Sequence, residues 1–372
     1  MSISKHIHNF GVSDSFSSYI LRLASKLPIF HMLKRLITLG FFTTMLFISC
    51  DEGVREADIS NIDQQCDFYA LNDSLQQFDL ANAEEINQQL YQSLGSFWRD
   101  YTESILREGA FDDPATLGKI AQFMTDPTIS EINTEVSAVL GPGQAERIDQ
   151  LDKAFRRMRY FFPETPAPQV VFMNSGFNYG IFPTETHLAV GQEWYLGTEH
   201  HITQSLDENT FPNYIRKKMA PEFLVGDAMR GWLAVHFQHQ YYDDSDLLST
   251  VMYWGKILYL MDVTFPELTD GQKINYTPDE IAWCQANERN LWAAFSQQDI
   301  LYEKRKFEIY RWVNDGPFTS AQSVPQESPS RLGMWIGWQV IRDYMERNNE
   351  VTPEQLLQET NYLKLLNAYR PG

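Results

Sequence analysis

Only one stretch of this 372-residue chain reads as β-sheet, and that limits the fold more than any other feature. The texture changes at Pro163. The segment "PAPQVVFMNSGFNYGIFPTETHLAVGQEWYLG" (166–197) is rich in β-branched and aromatic residues, with Gly176, Gly180 and Gly191 as punctuation. Val170–Met173 and Leu188–Val190 are expected as short strands joined by a turn around Asn178–Pro183. On both sides the apolar residues fall at helical spacings instead: Ile86, Leu90, Leu94, Phe97 and Trp98, then Ile148, Leu151, Phe155 and Met158. Arg156, Arg157 and Arg159 fall on what reads as a solvated flank.

Helix starts are written out in the sequence. Asp113 is placed to cap a helix with Pro114 at its first position. "TPDE" (277–280) and "TPEQ" (352–355) are capping boxes, the second opening the last helix. Ser330 is expected to cap "RLGMWIGWQVIRDYMERN", where Gly333 and Gly337, one turn apart, leave room for a close neighbour. "GPGQAE" (141–146) lacks the Lys and Ser/Thr of a nucleotide loop and reads as a helix-breaking turn. No internal repeat is visible. The expected fold is a mostly helical α+β domain over 66–372 with a small embedded sheet, large enough to bury a substantial core.

Ahead of that domain, "MLKRLITLGFFTTMLFISC" (32–50) has a basic start and a short apolar run, the pattern of a signal peptide and too short for a spanning helix. Leu46–Cys50 resembles a bacterial lipobox, which implies cleavage after residue 49 and lipid attachment at Cys50. Residues 1–31 fit poorly ahead of such a signal and are expected to be a gene-model extension, with translation starting at Met32. Residues 50–65 would be a tether. The net charge of −19 argues against a nucleic-acid partner, and no basic stripe stands out after residue 50. An acidic face is also repelled by anionic headgroups, so the expected membrane attachment is the lipid anchor. Cys66 and Cys284 are expected as two buried thiols rather than a disulfide framework.

The strongest candidate for metal chemistry is "EFLVGDAMRGWLAVHFQHQYY" (222–242), read as a helix. A zinc peptidase of the H-E-x-x-H type needs two histidines one turn apart and a glutamate beside the first. His236 and His239 are instead three apart, and Phe237 follows the first. Asp243, Asp244 and Asp246 are placed where a helix end exposes them. Core packing of Leu233 and Phe237, with the histidines on the polar flank, accounts for the pattern better. His200 and His201 are weaker still, since adjacent residues point in different directions. No G-x-S-x-G or dinucleotide fingerprint is present, and no cofactor is expected. The nine tryptophans suggest stacking on a glycan, but Trp254, Trp283, Trp292, Trp335 and Trp338 lie in helical patterns that favour the core. Two alternatives stay open: a zinc-dependent hydrolase with a non-standard site at His236, His239 and an acidic residue, and a glycan-binding lipoprotein.

"MYWGKILYLMD" (252–262), "WCQANERNLW" (283–292) and "ESPSRLGMWIGWQVIRDYM" (327–345) resemble the GldB family of gliding-motility lipoproteins from Bacteroidetes. The likeness extends back through "LDKAFRRMRYFFPETPAPQVVFMNSG" and "THLAVGQEWYLG". Ser330 departs from the family's frequent S-P-G-R motif. The resemblance implies surface motility alongside the type IX secretion apparatus, in the cell envelope facing the periplasm, through contacts with envelope proteins. It also implies a degenerate zincin-like layout. Asp227-Ala228-Met229-Arg230-Gly231 then takes the H-E-x-x-H place, and Tyr253–Lys256 falls near a later ligand, where Lys256 would repel a cation. No catalytic residue carries over. Lys256, Arg331 and Arg342 stand in or beside apolar helices of these motifs, either snorkelling to solvent or pairing with Glu288 or Asp262.

Overall fold

The computed structural model describes residues 57–63, 65–238, 246–321 and 324–372, all within one unit spanning Val54–Gly372. The expectations for residues 1–56, Cys50 among them, and for His239, Asp243 and Asp244 lie outside the described residues.

A four-stranded sheet organises the fold. β1 (Phe68–Ala70), β2 (Gln169–Met173), β3 (Ile181–Pro183) and β4 (His187–Gly191) lie in the order β1-β2-β4-β3. β2 and β4 were expected as a simple strand–turn–strand. They instead run parallel, in register Val170 to Leu188, and the connecting segment supplies β3, antiparallel to β4. β1 pairs in parallel with β2, Phe68 opposite Val170. The β-branched residues select the extended backbone, and alternation then sends Val170, Phe172, Leu188 and Val190 to one face and Val171, Met173 and Ala189 to the other. Both faces are covered, as parallel strands require, which is why β4 is buried along its whole length.

Two helices cover one face: α1 (Ala83–Leu94) and α2 (Pro114–Thr125), with Phe97, Trp98 and Tyr101 filling the space between them and the sheet. Asp113 caps α2 by accepting from the Ala115 N–H. The other face carries the larger core, built from α3 (Pro127–Leu140), α4 (Gln144–Phe161), α5 (Leu224–His236), α6 (Leu247–Thr264), α7 (Pro278–Phe295), α8 (Lys306–Val313) and α9 (Leu332–Arg347). α6 is apolar on all sides because it is buried on nearly all sides. It lies against α9, where Gly333 and Gly337 face Val251 and Gly255 of α6. A β-carbon on Gly337 would stand 2.1 Å from the Val251 carbonyl oxygen, so the backbones touch. Both expected capping boxes are formed, and a third, Thr269 with Gln272, opens the short turn Asp270–Ile274. The box at Thr352 opens Pro353–Gln358, after which the chain breaks and a further short helix, Tyr362–Ala368, follows.

Two local expectations are corrected. Ser330 does not cap α9: its hydroxyl donates to Asp315 Oδ1 (2.8 Å), and Arg331 takes the cap position in left-handed backbone at φ 59°. Arg157 is not a solvated flank, since it donates to the Thr264 carbonyl (2.9 Å) and pairs with Glu267. Cys66 and Cys284 are both free and buried. Among the described residues, no helix is long and apolar enough to cross a membrane.

Candidate functional site

Beyond the C-terminal ends of β2 and β4, where ligands gather in parallel sheets, lies a pocket of about 310 Å³. The connection from β2 to β3 forms one wall. It is pinned by Glu193, a fully buried side chain just after β4, which accepts from Ser175 N (2.8 Å), Ser175 Oγ (2.5 Å) and Phe177 N (3.1 Å). Burial pushes the Glu193 carboxyl upward, while those donors work in the opposite direction. Gly180 in this wall packs against Trp194, where a β-carbon would come within 3.2 Å of the indole.

The helical side supplies the charge. Asp227 and Arg230, on successive turns of α5, pair at 2.6 Å. Asp227 also accepts from Asn275 Nδ2 (2.6 Å) and from the Tyr195 hydroxyl (3.2 Å). Burial, with the Asp227 charge beside it, holds the Tyr195 phenol well above its usual range. Across the pocket, Lys218 donates to Asp315 Oδ1 (3.0 Å), and Arg331 Nε lies 3.7 Å from the same oxygen. Both cations flank the Tyr276 ring, at 5.6 and 5.4 Å from its centre. Burial, followed by the neighbouring Arg331 charge, brings the Lys218 ammonium down to about 8. Arg331 also donates to the Asn275 carbonyl (2.7 Å), and Trp254 of α6 closes the apolar side.

The structure treats the sequence candidates unequally. Arg331 lines the pocket. Lys256 neither snorkels nor meets a carboxylate: it is buried, donates to the carbonyls of Leu357 (3.1 Å) and Glu359 (2.7 Å), and lies over the Tyr362 ring. It therefore faces the C-terminal turn and cannot act on a cation in the pocket; Trp254 is the α6 residue that lines it. Burial lowers Lys256 to about 8. Arg342 grips Asp262 through two nitrogens (2.6 and 2.7 Å), pairs with Asp270, and stacks 3.7 Å above Trp338. Asp262, completely buried, also holds Lys273 (2.9 Å) and the Trp338 indole (2.8 Å). This network ties α6 to α9 away from the pocket. Glu288 accepts from the Tyr369 hydroxyl and holds down the C-terminal end. His236 ends α5 half-buried, stacked 4.6 Å from Trp232, while Leu233 and Phe237 face the core.

His200 and His201, expected to diverge, do not. Their rings lie 4.5 Å apart and both lean on α3, where Glu131 and Glu135 share one face. Glu135, His200 and His201 make the one group with metal-ligand spacing among the described residues. The tautomer works against a metal there. His200 Nδ1 accepts from Ile202 N (3.3 Å), capping the short helix that follows, so the ring proton sits on Nε2 and donates to Glu135 (3.1 Å). Coordination through Nε2 would require that cap to break. Every tryptophan of the chain is buried or half-buried, so none stands fully exposed as a stacking ring for a glycan.

Lys218, Asp315, Asn275 and Tyr195 escaped the sequence reading because they come from separate segments with no shared motif. One signal was available. "RKK" at 216–218 is a basic trio in an acidic chain, and two of its members, Arg216 and Lys218, are buried.

A sequence profile described as gliding motility protein GldB matches residues 52–371, which includes every described residue but Gly372. No curated protein and no solved structure matches the chain.

Proposed function

Because the chain belongs to the gliding motility protein GldB family, we propose that it is a lipid-anchored component of the cell envelope that serves gliding motility, or the type IX secretion machinery beside it, through contacts with other envelope proteins and without catalysis. The family match carries this reading. The leader supports the anchor: a basic start, a short apolar run and a cysteine at residue 50. The pocket supports the absence of catalysis, since Asp227 holds three internal donors and Asp315 is engaged by Lys218 and Ser330. A general base needs both a free lone pair and basicity. Asp227 has three of its roughly four lone-pair sites engaged. Against the upward push of burial, the Arg331 and Lys218 charges hold Asp315 down to about 2, which leaves it a weak base.

Stable attachment needs more than one acyl chain, which a diacylglyceryl group with an N-acyl chain supplies. In a strain lacking the gene, the wild-type chain should restore surface spreading, and Cys50→Ala should be found in the soluble fraction and fail to restore it. A Cys50→Ala protein that stays on membranes through a salt wash removes the anchor from the account. Chelator-sensitive peptide cleavage by the purified chain would remove the claim that it does no chemistry.

A further inference from the structure

We propose that the pocket beside Asp227 and Arg331 binds a ligand that presents one carboxylate next to an apolar group. The inference does not rest on the motility reading, because it starts from a count of charge. Three cations line the pocket, Lys218, Arg230 and Arg331, against two carboxylates, Asp227 and Asp315. Arg230 and Asp227 neutralise one another at 2.6 Å. Lys218 and Arg331, 7% and 8% exposed, are left to share Asp315, which stands at the mouth and also accepts from Ser330 and Gly316 N. Glu280, which accepts from Thr277 N (2.8 Å) within its capping box, is close enough for its charge to act on Lys218 but does not line the pocket. One positive charge is therefore in surplus among the residues that line the pocket, in a chain whose net charge is −19. An unmatched cation away from water is costly, and a single anion removes the cost. The depressed affinity of Lys218 for its proton agrees with this.

Unspent hydrogen bonds point to the same place. Of the ten buried side-chain atoms without a partner among the described residues, three belong to pocket residues: Arg331 Nε, Trp194 Nε1 and Asn275 Oδ1. Two are donors, the chemistry a carboxylate oxygen takes, and the third is an acceptor. All three lie just behind the pocket surface, so a ligand reaches them only as the side chains turn. The backbone is also held against its preference. Asn275 and Arg331 both adopt left-handed conformations (φ 58° and 59°), locked together by the bond from Arg331 to the Asn275 carbonyl. Asparagine tolerates that region and arginine does not, and strain of this kind gathers where a side chain must be aimed. Ile181, Ile215, Met219 and Trp254 make the apolar wall, in a volume suited to one or two amino-acid-sized groups. A phosphate dianion would overshoot the single surplus charge.

This chemistry is shared by the free C-terminus of a peptide and by a small organic acid, and calorimetry on the purified full chain separates them. The probes are N-acetyl-leucyl-leucine, its C-terminal amide, 4-methylpentanoate and inorganic phosphate. The peptide acid should bind at least tenfold more tightly than the amide, and phosphate should not compete. Equal binding of 4-methylpentanoate makes the ligand a free acid; binding of the peptide alone makes it a chain end. Arg331→Gly removes the guanidinium while relaxing the left-handed backbone, and should weaken binding at least tenfold. Lys218→Met carries the same test if that variant does not fold. Equal binding of acid and amide, no binding at millimolar concentration, competition by phosphate, or unchanged binding in both variants would each overturn the proposal.

Discussion

Asp262 shows how much a single side chain can decide. Its carboxylate has no contact with water, yet it holds Lys273, Arg342 and the Trp338 indole at once. Such a group is favourable only while every partner remains, because removing it strands Lys273 and leaves Arg342 with Asp270 alone. Asp262→Ala should therefore cost about 3–5 kcal/mol in urea unfolding, whereas Asp149→Ala, which breaks an exposed pair with Lys153, should barely move the midpoint. Equal, small effects would mean that the buried network contributes nothing. At this scale the sequence was partly legible. Arg342 and Asp262 stand out as charges in apolar helices, and they meet. Lys256 stands out equally, but its partners are backbone carbonyls of a turn about a hundred residues later, which no side-chain pattern announces.

Between α6 and α9 the backbones touch, and glycine is the reason. Gly337→Ala drives a methyl group into the Val251 carbonyl, and neither backbone can yield without moving a buried helix. The expected loss is about 1–3 kcal/mol or more. Gly118→Ala is the comparison: it lies inside α2 with nothing nearer its β-carbon position than Leu80 at 3.9 Å, and should be neutral or slightly stabilising. A Gly337→Ala protein as stable as wild type would show that the helices can separate freely. Gly333 and Gly337 announce a close neighbour by their spacing, without saying which. Capping boxes are legible because the signal is local, three residues long and chemical. β1 is not, being three residues long and paired with a strand about a hundred positions on, and for the same reason the parallel arrangement of β2 and β4 could not be read from their nearness in sequence.

For the whole molecule, the two buried thiols report on how it opens. Cys66 sits just before the sheet, its backbone N–H bonded to Asp152 of α4, and Cys284 lies in the middle of α7. Burial pushes both thiols upward, far from the reactive thiolate. In a Cys50→Ala background neither should react with a thiol reagent under native conditions, and both should appear with one rate as denaturant is raised. Early labelling of Cys66 alone would mean that the N-terminal segment detaches before the helices do.

The sheet carries one more implication. Its outer members, β1 and β3, are three residues each, and β3 ends on Pro183, which has no N–H to give. An incoming chain looking for a backbone ladder would find almost no rungs. A second copy of the chain would meet the same short edges, so the sheet gives little purchase for edge-to-edge pairing.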